Sequence, residues 1–290
     1  SSAASDVYKR QIKVTSDSTC DLSAELVEKY NITLVPLLVE MGGKSYRDGV
    51  DIVPADIFAH VAAGGSLCST AAVNMVTYHE IFEPLSREYD AVIHVNIGSG
   101  FSSCYQNACL AAQDLPNVYV IDSRNLSTGQ GLIVLEACER AQNCEDAAAL
   151  AEELRKLTAR VEASFVLHRL DYMVKGGRCS MVTALGANLL KLRPCIEVKD
   201  GKMAVVKKYR GTYDKCLRDY IRDRLADRDD VEKDKLFFTY TPVEEKAMAE
   251  ARKALKTYSQ FDRVFETTAG CTVSCHCGPD TLGVLFIRKA

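Results

Sequence analysis

The sequence predicts an α/β fold in two parts. A mostly parallel α/β N-terminal domain is expected over 12–160, and an α+β C-terminal domain with a partly antiparallel sheet over 161–290. Three observations carry this. Up to about residue 160, short apolar runs alternate with helix-like periods, and each run ends in polar or glycine-rich residues, the pattern of a parallel sheet. Further on, two apolar runs flank Asp200-Gly201, the strongest short-range hairpin signal in the chain. The length of 290 residues is enough for two separate cores.

Taken in order, residues 1–11 (SSAASDVYKRQ) show no apolar period and read as a non-native leader. Ile12 to Thr15 is a strand. Asp21 or Ser23 caps a helix reaching Tyr30. Ile32 to Val39 is one further strand, placed at an edge because Pro36 lacks a ladder donor. Gly42-Gly43 makes a turn, and Ala55 to Ala63 a helix. Leu67 to Ala72 reads as a small-residue loop before a helix from Met75 to about Tyr89. Ala91 to Val95 is a buried strand that breaks at Gly98-Ser99-Gly100 and restarts as a helix near Ser102. Val118 to Ile121 is a strand. Helices follow over Gly129 to Ala141 and Cys144 to Val161.

In the second half, Ser164 to Leu167 is a strand, and a helix around Tyr172 stops at Gly176-Gly177. An apolar helix is expected from Met181 to Leu192. The hairpin around Asp200-Gly201 comes next. A helix over Asp214 to Ala226, strands at Leu236 to Tyr240, Val264 to Thr267 and Leu282 to Ile287, and a long helix from Val243 to Tyr258 complete the pattern.

Composition narrows the function. Apolar residues make up 47% and charged residues 26%, with a net charge of −3 and no basic block. A nucleic-acid partner is not expected. No apolar run approaches a membrane span, so stable membrane insertion is not expected either. Twelve cysteines are scattered without a secretory signal, which points to reduced thiols and a cytoplasmic protein.

The turn at 98–103 is the best anion site in the chain. A strand feeding a helix N-terminus directs free N–H groups and the positive end of a dipole one way, and Ser99, Ser102 and Ser103 add hydroxyls. Gly98-x-Gly100-x-x-Ser103 also approaches a dinucleotide fingerprint, with Asp122 where a ribose-binding acid would stand. The alternative function is therefore a nucleotide-dependent α/β enzyme using Gly98, Gly100 and Asp122. Against it, the third glycine is a serine, and the motif does not follow the first strand. A hydrolase could pair Ser102 with His276, although the nucleophile elbow is absent. Cys271-x-x-x-Cys275-His276-Cys277 is dense enough for zinc. It lacks a second ligand pair, so no metal is expected and packed thiols are favoured. Arg178 and Arg210 read most simply as solvated charges.

Together these segments resemble the DegV family, bacterial fatty-acid-binding proteins that serve a fatty acid kinase. Asp17-Ser18-Thr19-Cys20-Asp21-Leu22 is similar to the family's D-S-T-x-D-L, and Tyr46-Arg47-Asp48-Gly49-Val50 to its y-x-D-G-v. Thr70-Ala71-Ala72-Val73 stands in place of T-S-Q-P, and Ile97 to Ala108 resembles I-S-S-x-L-S-G-T-Y-Q-x-A. Leu170-Asp171-Tyr172 with Lys175 to Arg178 is similar to L-x-x-L-x-x-G-G-R, and His276-Cys277-Gly278-Pro279 to H-x-G-P. The resemblance implies a non-catalytic carrier that holds a long-chain fatty acid in a tunnel between two domains and presents it to a partner kinase for acyl-phosphate formation. It assigns the carboxylate to Thr70 and Ser102, with His276 at the exposed carboxyl end, and implies no cofactor. Ser99, Gly100 and Ser103 would support the loop, and Arg210 would lie at the mouth or face the kinase. The chain departs from the family at Ala71-Ala72-Val73 and at Ser103, where a glycine would let the backbone come closer to a ligand.

Overall fold

The computed structural model describes residues 11–185 and 192–290. Of the expected leader, residues 1–10 lie outside the described residues. Gln11 donates its N–H to Asp90 Oδ2 at 2.7 Å. β1 (Ile12–Asp17) leads to α1 (Ala24–Lys29), whose N-cap is Ser23, with Oγ accepting from Leu26 N–H at 3.3 Å. The strand expected over 32–39 is in fact two. Pro36 cannot donate, and the chain divides there into β2 (Thr33–Val35) and β3 (Leu38–Met41), which enter different sheets. β3 turns through Gly42 and Gly43, both at positive φ, into β4 (Lys44–Arg47). α2 (Pro54–Ala62) follows. The segment read as a loop contains β5 (Ser69–Ala71), which pairs with the free edge of β3. α3 (Met75–Glu88) is capped by the Asn74 side chain. Next come β6 (Ala91–Asn96), α4 (Cys104–Ala111) and β7 (Val118–Asp122).

The strands β2-β1-β6-β7 form a parallel sheet, and β4-β3-β5 a small antiparallel one. α5 (Thr128–Ala141) is buried along most of its length, because it packs between the parallel sheet and the sheet of the second half. α6 (Ala147–Leu157) starts at Asp146, whose carboxylate accepts from Ala148 and Ala149.

β8 (Val161–Val166), α7 (Asp171–Gly176) and α8 (Ser180–Leu185) open the second half. The remainder of the helix expected to Leu192 falls partly on 186–191, outside the described residues, and Leu192 itself is in a strand. β9 (Leu192–Lys199) and β10 (Lys202–Arg210) form the expected hairpin, with Asp200 and Gly201 both at positive φ. α9 (Tyr213–Leu225), β11 (Val231–Tyr240), α10 (Glu245–Tyr258), β12 (Arg263–Thr268), α11 (Cys271–Cys277) and β13 (Leu282–Arg288) complete the chain. The large sheet runs β10-β9-β8-β13-β11-β12, antiparallel except for β11 with β12. One core buries α9 and α10 against this sheet. Another joins its opposite side, through α5, to the parallel sheet. The mixed α/β class agrees with the expectation from sequence.

Candidate functional site

Two elements from opposite halves of the chain meet at the site. β5 supplies Thr70, and α11 supplies His276 in its last turn. Thr70 Oγ1 lies 2.8 Å from His276 Nε2. The other ring nitrogen, Nδ1, is buried and has no partner among the described residues. Burial, and then the positive charge of Arg178, lower the His276 pKa from its usual 6.5 to about 4. The ring is therefore neutral at pH 7.

The pair faces a cavity of about 160 Å³. Its polar wall is Thr70, Ser102, Ser103, Thr272, His276 and Arg178; its apolar wall includes Leu37, Ile97, Phe101 and Met203. Ser102 precedes α4 and accepts from Cys104 N–H at 3.3 Å. The main-chain N–H groups of Ser102 and Ser103 have no acceptor among the described residues. Leu126, Val273 and Cys277 line this cavity and also a second one of about 30 Å³. That second cavity lies between the Leu126-Ser127 segment before α5, α11 and the large sheet, against Ala163, Phe165, Val198, Ala269 and Leu285. A cavity with a polar wall thus neighbours a smaller, mainly apolar one, with Leu126, Val273 and Cys277 between them.

Thr70, Ser102, Ser103 and His276 are therefore brought together. Ser99 and Gly100 are not part of the cavity wall. Ser99 is tied to Asp122 by its N–H at 3.0 Å and its hydroxyl at 2.5 Å. Gly100 packs on the hairpin turn, where an added Cβ would stand 2.3 Å from the Gly201 carbonyl oxygen. Arg210 is exposed at the end of β10 and does not line the cavity.

These contacts count against the nucleotide reading: both Asp122 oxygens are engaged locally, one of them also by Arg124 N–H, so the acid expected to hold a ribose is already bonded within the loop. They also correct the hydrolase reading, since His276 bonds Thr70 rather than Ser102 and no carboxylate orients its Nδ1. The cysteines are free thiols, and Cys271 and Cys275 pack with Val39, Ile52, Ile57 and Cys68. Burial raises the Cys277 pKa to about 12. Among the described residues the acidic group Glu136, Glu139 and Asp234 is close enough for a metal, but Lys235 Nζ already sits among its oxygens.

A family model described as the DegV family of uncharacterised proteins matches residues 11–289. The chain belongs to the DegV family. A DegV domain-containing protein of Caldanaerobacter subterraneus subsp. tengcongensis is 32% identical over 284 residues, covering 96% of this chain and 99% of its own. Among solved structures, a fatty-acid-binding DegV family protein from Thermus thermophilus matches with a TM-score of 0.86 at 27% identity, covering 96% of this chain and 99% of that one. A stearic acid-binding protein from Eubacterium ventriosum matches with a TM-score of 0.80 at 26% identity, again over 96% and 99%.

The DegV motifs acquire physical roles here that the sequence alone does not disclose. Asp17 accepts from Tyr78 Oη at 2.6 Å, Asn96 Nδ2 at 3.1 Å and Ile97 N–H at 2.9 Å, and so anchors the strand end that leads to Ser102. Gly176 lets the His276 ring come close: an added Cβ would stand 2.1 Å from Nδ1. Arg178, read from sequence as a solvated charge, joins the cavity wall and donates to the carbonyls of Gly176 at 2.6 Å and Phe101 at 3.4 Å. Its position after Gly176-Gly177 was the signal available.

Proposed function

We propose that this chain is a carrier that binds one long-chain fatty acid. The observation that carries the reading is the cavity pair: one cavity lined by hydroxyls and one arginine, and beside it, across Leu126, Val273 and Cys277, a mainly apolar one. In this reading the carboxylate accepts from Thr70 Oγ1, Ser102 Oγ and the Ser102 and Ser103 N–H groups, and Arg178 balances its charge. His276, neutral when the site is empty, gains affinity for a proton once a carboxylate stands beside it. The alkyl chain supplies the rest, at roughly 0.8 kcal/mol for each buried methylene. Fatty-acid binding by the Thermus thermophilus and Eubacterium ventriosum proteins supports the same ligand class.

The carrier role fits the partners of the two hydroxyls: Ser102 Oγ donates to Cys104 Sγ at 3.2 Å, and the His276 ring that meets Thr70 has no orienting group on its Nδ1 among the described residues. In the wider reading, a partner kinase in the cytoplasm phosphorylates the presented carboxylate, and Arg210 contributes to its docking surface. The test is titration of delipidated protein with oleate, for the parent and for Thr70→Ala/Ser102→Ala. Saturable binding by the parent that weakens by about 1–3 kcal/mol per lost bond supports the carboxylate site. Equal affinity in the double variant refutes it.

A further inference from the structure

The small sheet β4-β3-β5 and helix α11 meet at two points. At one end, Asp48, the residue after β4, receives the start of the helix. Its Oδ1 accepts from Cys271 N–H at 2.9 Å, and its Oδ2 from Thr272 N–H at 3.1 Å and Thr272 Oγ1 at 2.7 Å. Ser18 Oγ holds Oδ2 from the other side at 3.1 Å and accepts from Leu37 N–H at 3.1 Å. Asp21 takes the preceding N–H, that of Gly270, at 2.9 Å and is itself fixed by Ser127 Oγ at 2.5 Å. At the other end, Thr70 of β5 meets His276. Asp21 and Asp48 are both nearly inaccessible to solvent.

We propose that Asp48, assisted by Asp21, is the positioning residue of the ligand site: it sets where α11 lies along the small sheet and thereby places His276 against Thr70. A helix advances about 1.5 Å per residue, so the six residues from Cys271 to His276 act as a stiff rod of fixed length. Its starting point comes from two carboxylates, since the N-cap residue Gly270 has no side chain to supply one. Three successive N–H groups point at the two side chains, and the Asp48 carboxylate, which takes two of them, suits the positive end of the helix. Val273 and Cys277, on the same rod, are two of the three residues between the cavities, so the clamp also sets that gap. Gly270 fits only because it lacks a Cβ, which would stand 2.9 Å from Asp21 Oδ1.

The geometric part stands by itself; the consequence for affinity rests on the carboxylate reading above. The experiment uses the full chain as Asp48→Asn and Asp48→Ala, with Asp146→Ala at the start of α6 as a control that removes a helix cap far from α11. His276 ring resonances are followed by NMR, and oleate binding by titration. Asp48→Asn keeps shape but turns an amide N–H₂ toward N–H donors, so it remains informative if Asp48→Ala does not fold. The expected result is a shift of the His276 ring signals and at least a tenfold loss of oleate affinity in Asp48→Asn, with neither in Asp146→Ala. Unchanged ring signals in a folded Asp48→Asn protein overturn the clamp. Shifted signals with unchanged oleate affinity keep the clamp but remove its link to binding. If Thr70→Ala/Ser102→Ala also binds as tightly as the parent, the carboxylate reading fails separately.

Discussion

Thr70 and His276 are 206 residues apart in sequence and 2.8 Å apart in the fold. The His276 pKa is lowered by burial and by Arg178, which fixes the sign of a pH effect. In the folded empty protein the ring titrates near 4, and in the unfolded chain near 6.5. The unfolded state therefore takes up the proton first, and His276 removes stability as pH falls from 6.5 toward 4. Urea midpoints measured across this window should fall less in His276→Asn than in the parent. Asp21 acts in the opposite sense. Burial raises its pKa from 3.8 to about 8, so its contribution is present below 3.8 and is lost as pH rises toward 8. Asp21→Asn should flatten the alkaline side of the same profile. Gly176→Ala tests the close approach at Nδ1: the methyl must displace the ring, and stability should fall by about 1–3 kcal/mol with a change in the His276 signals.

At the scale of elements, Leu126, Val273 and Cys277 stand between the two cavities, and this gives a test of chain selectivity. Leu126→Ala should join the two spaces and raise the affinity for C18 relative to C10 acids, read from parallel titrations, while destabilising the fold by up to about 2–5 kcal/mol. Removal of a cap distant from the site, Asp146→Ala, should cost about 1 kcal/mol in urea unfolding without altering that ratio.

The elements also show why the sequence is legible in some places and silent in others. β6, apart from His94 and Asn96, and β13, up to Ile287, are apolar and buried, and the hairpin carries its own Asp-Gly turn; such signals are local. α11 was missed because nothing local marks it. It is seven residues long, is rich in cysteine and β-branched residues, and its capping groups come from Asp21 and Asp48. β5 was read as a loop because three residues at an edge carry no period and β3 supplies their ladder. Thr70, Ser102 and His276 could be named from motifs, whereas Arg178 could not be told from a solvated charge without the cavity beside it.

Across the whole molecule, the two halves are joined by more than the ligand cavity. Lys235 of β11 is buried and pairs with Glu136 at 2.6 Å and Glu139 at 2.7 Å, both on α5, and with Asp234 at 2.5 Å. Arg263 adds a contact to Glu139 at 2.7 Å. Replacing Lys235 with Met leaves these acids facing each other, and urea unfolding should show a loss of about 3–5 kcal/mol. No helix among the described residues is long and apolar enough to cross a membrane.

The central claim is that the cavity lined by Thr70, Ser102 and His276 binds a fatty acid by its carboxylate. The most direct measurement is the thermal midpoint of delipidated protein with oleate, methyl oleate, ATP or NAD, because a ligand specific for the folded state raises the midpoint by mass action. The carrier reading predicts a clear upward shift with oleate, a smaller one with its methyl ester, and none with either nucleotide. A shift with ATP or NAD and none with oleate would contradict it.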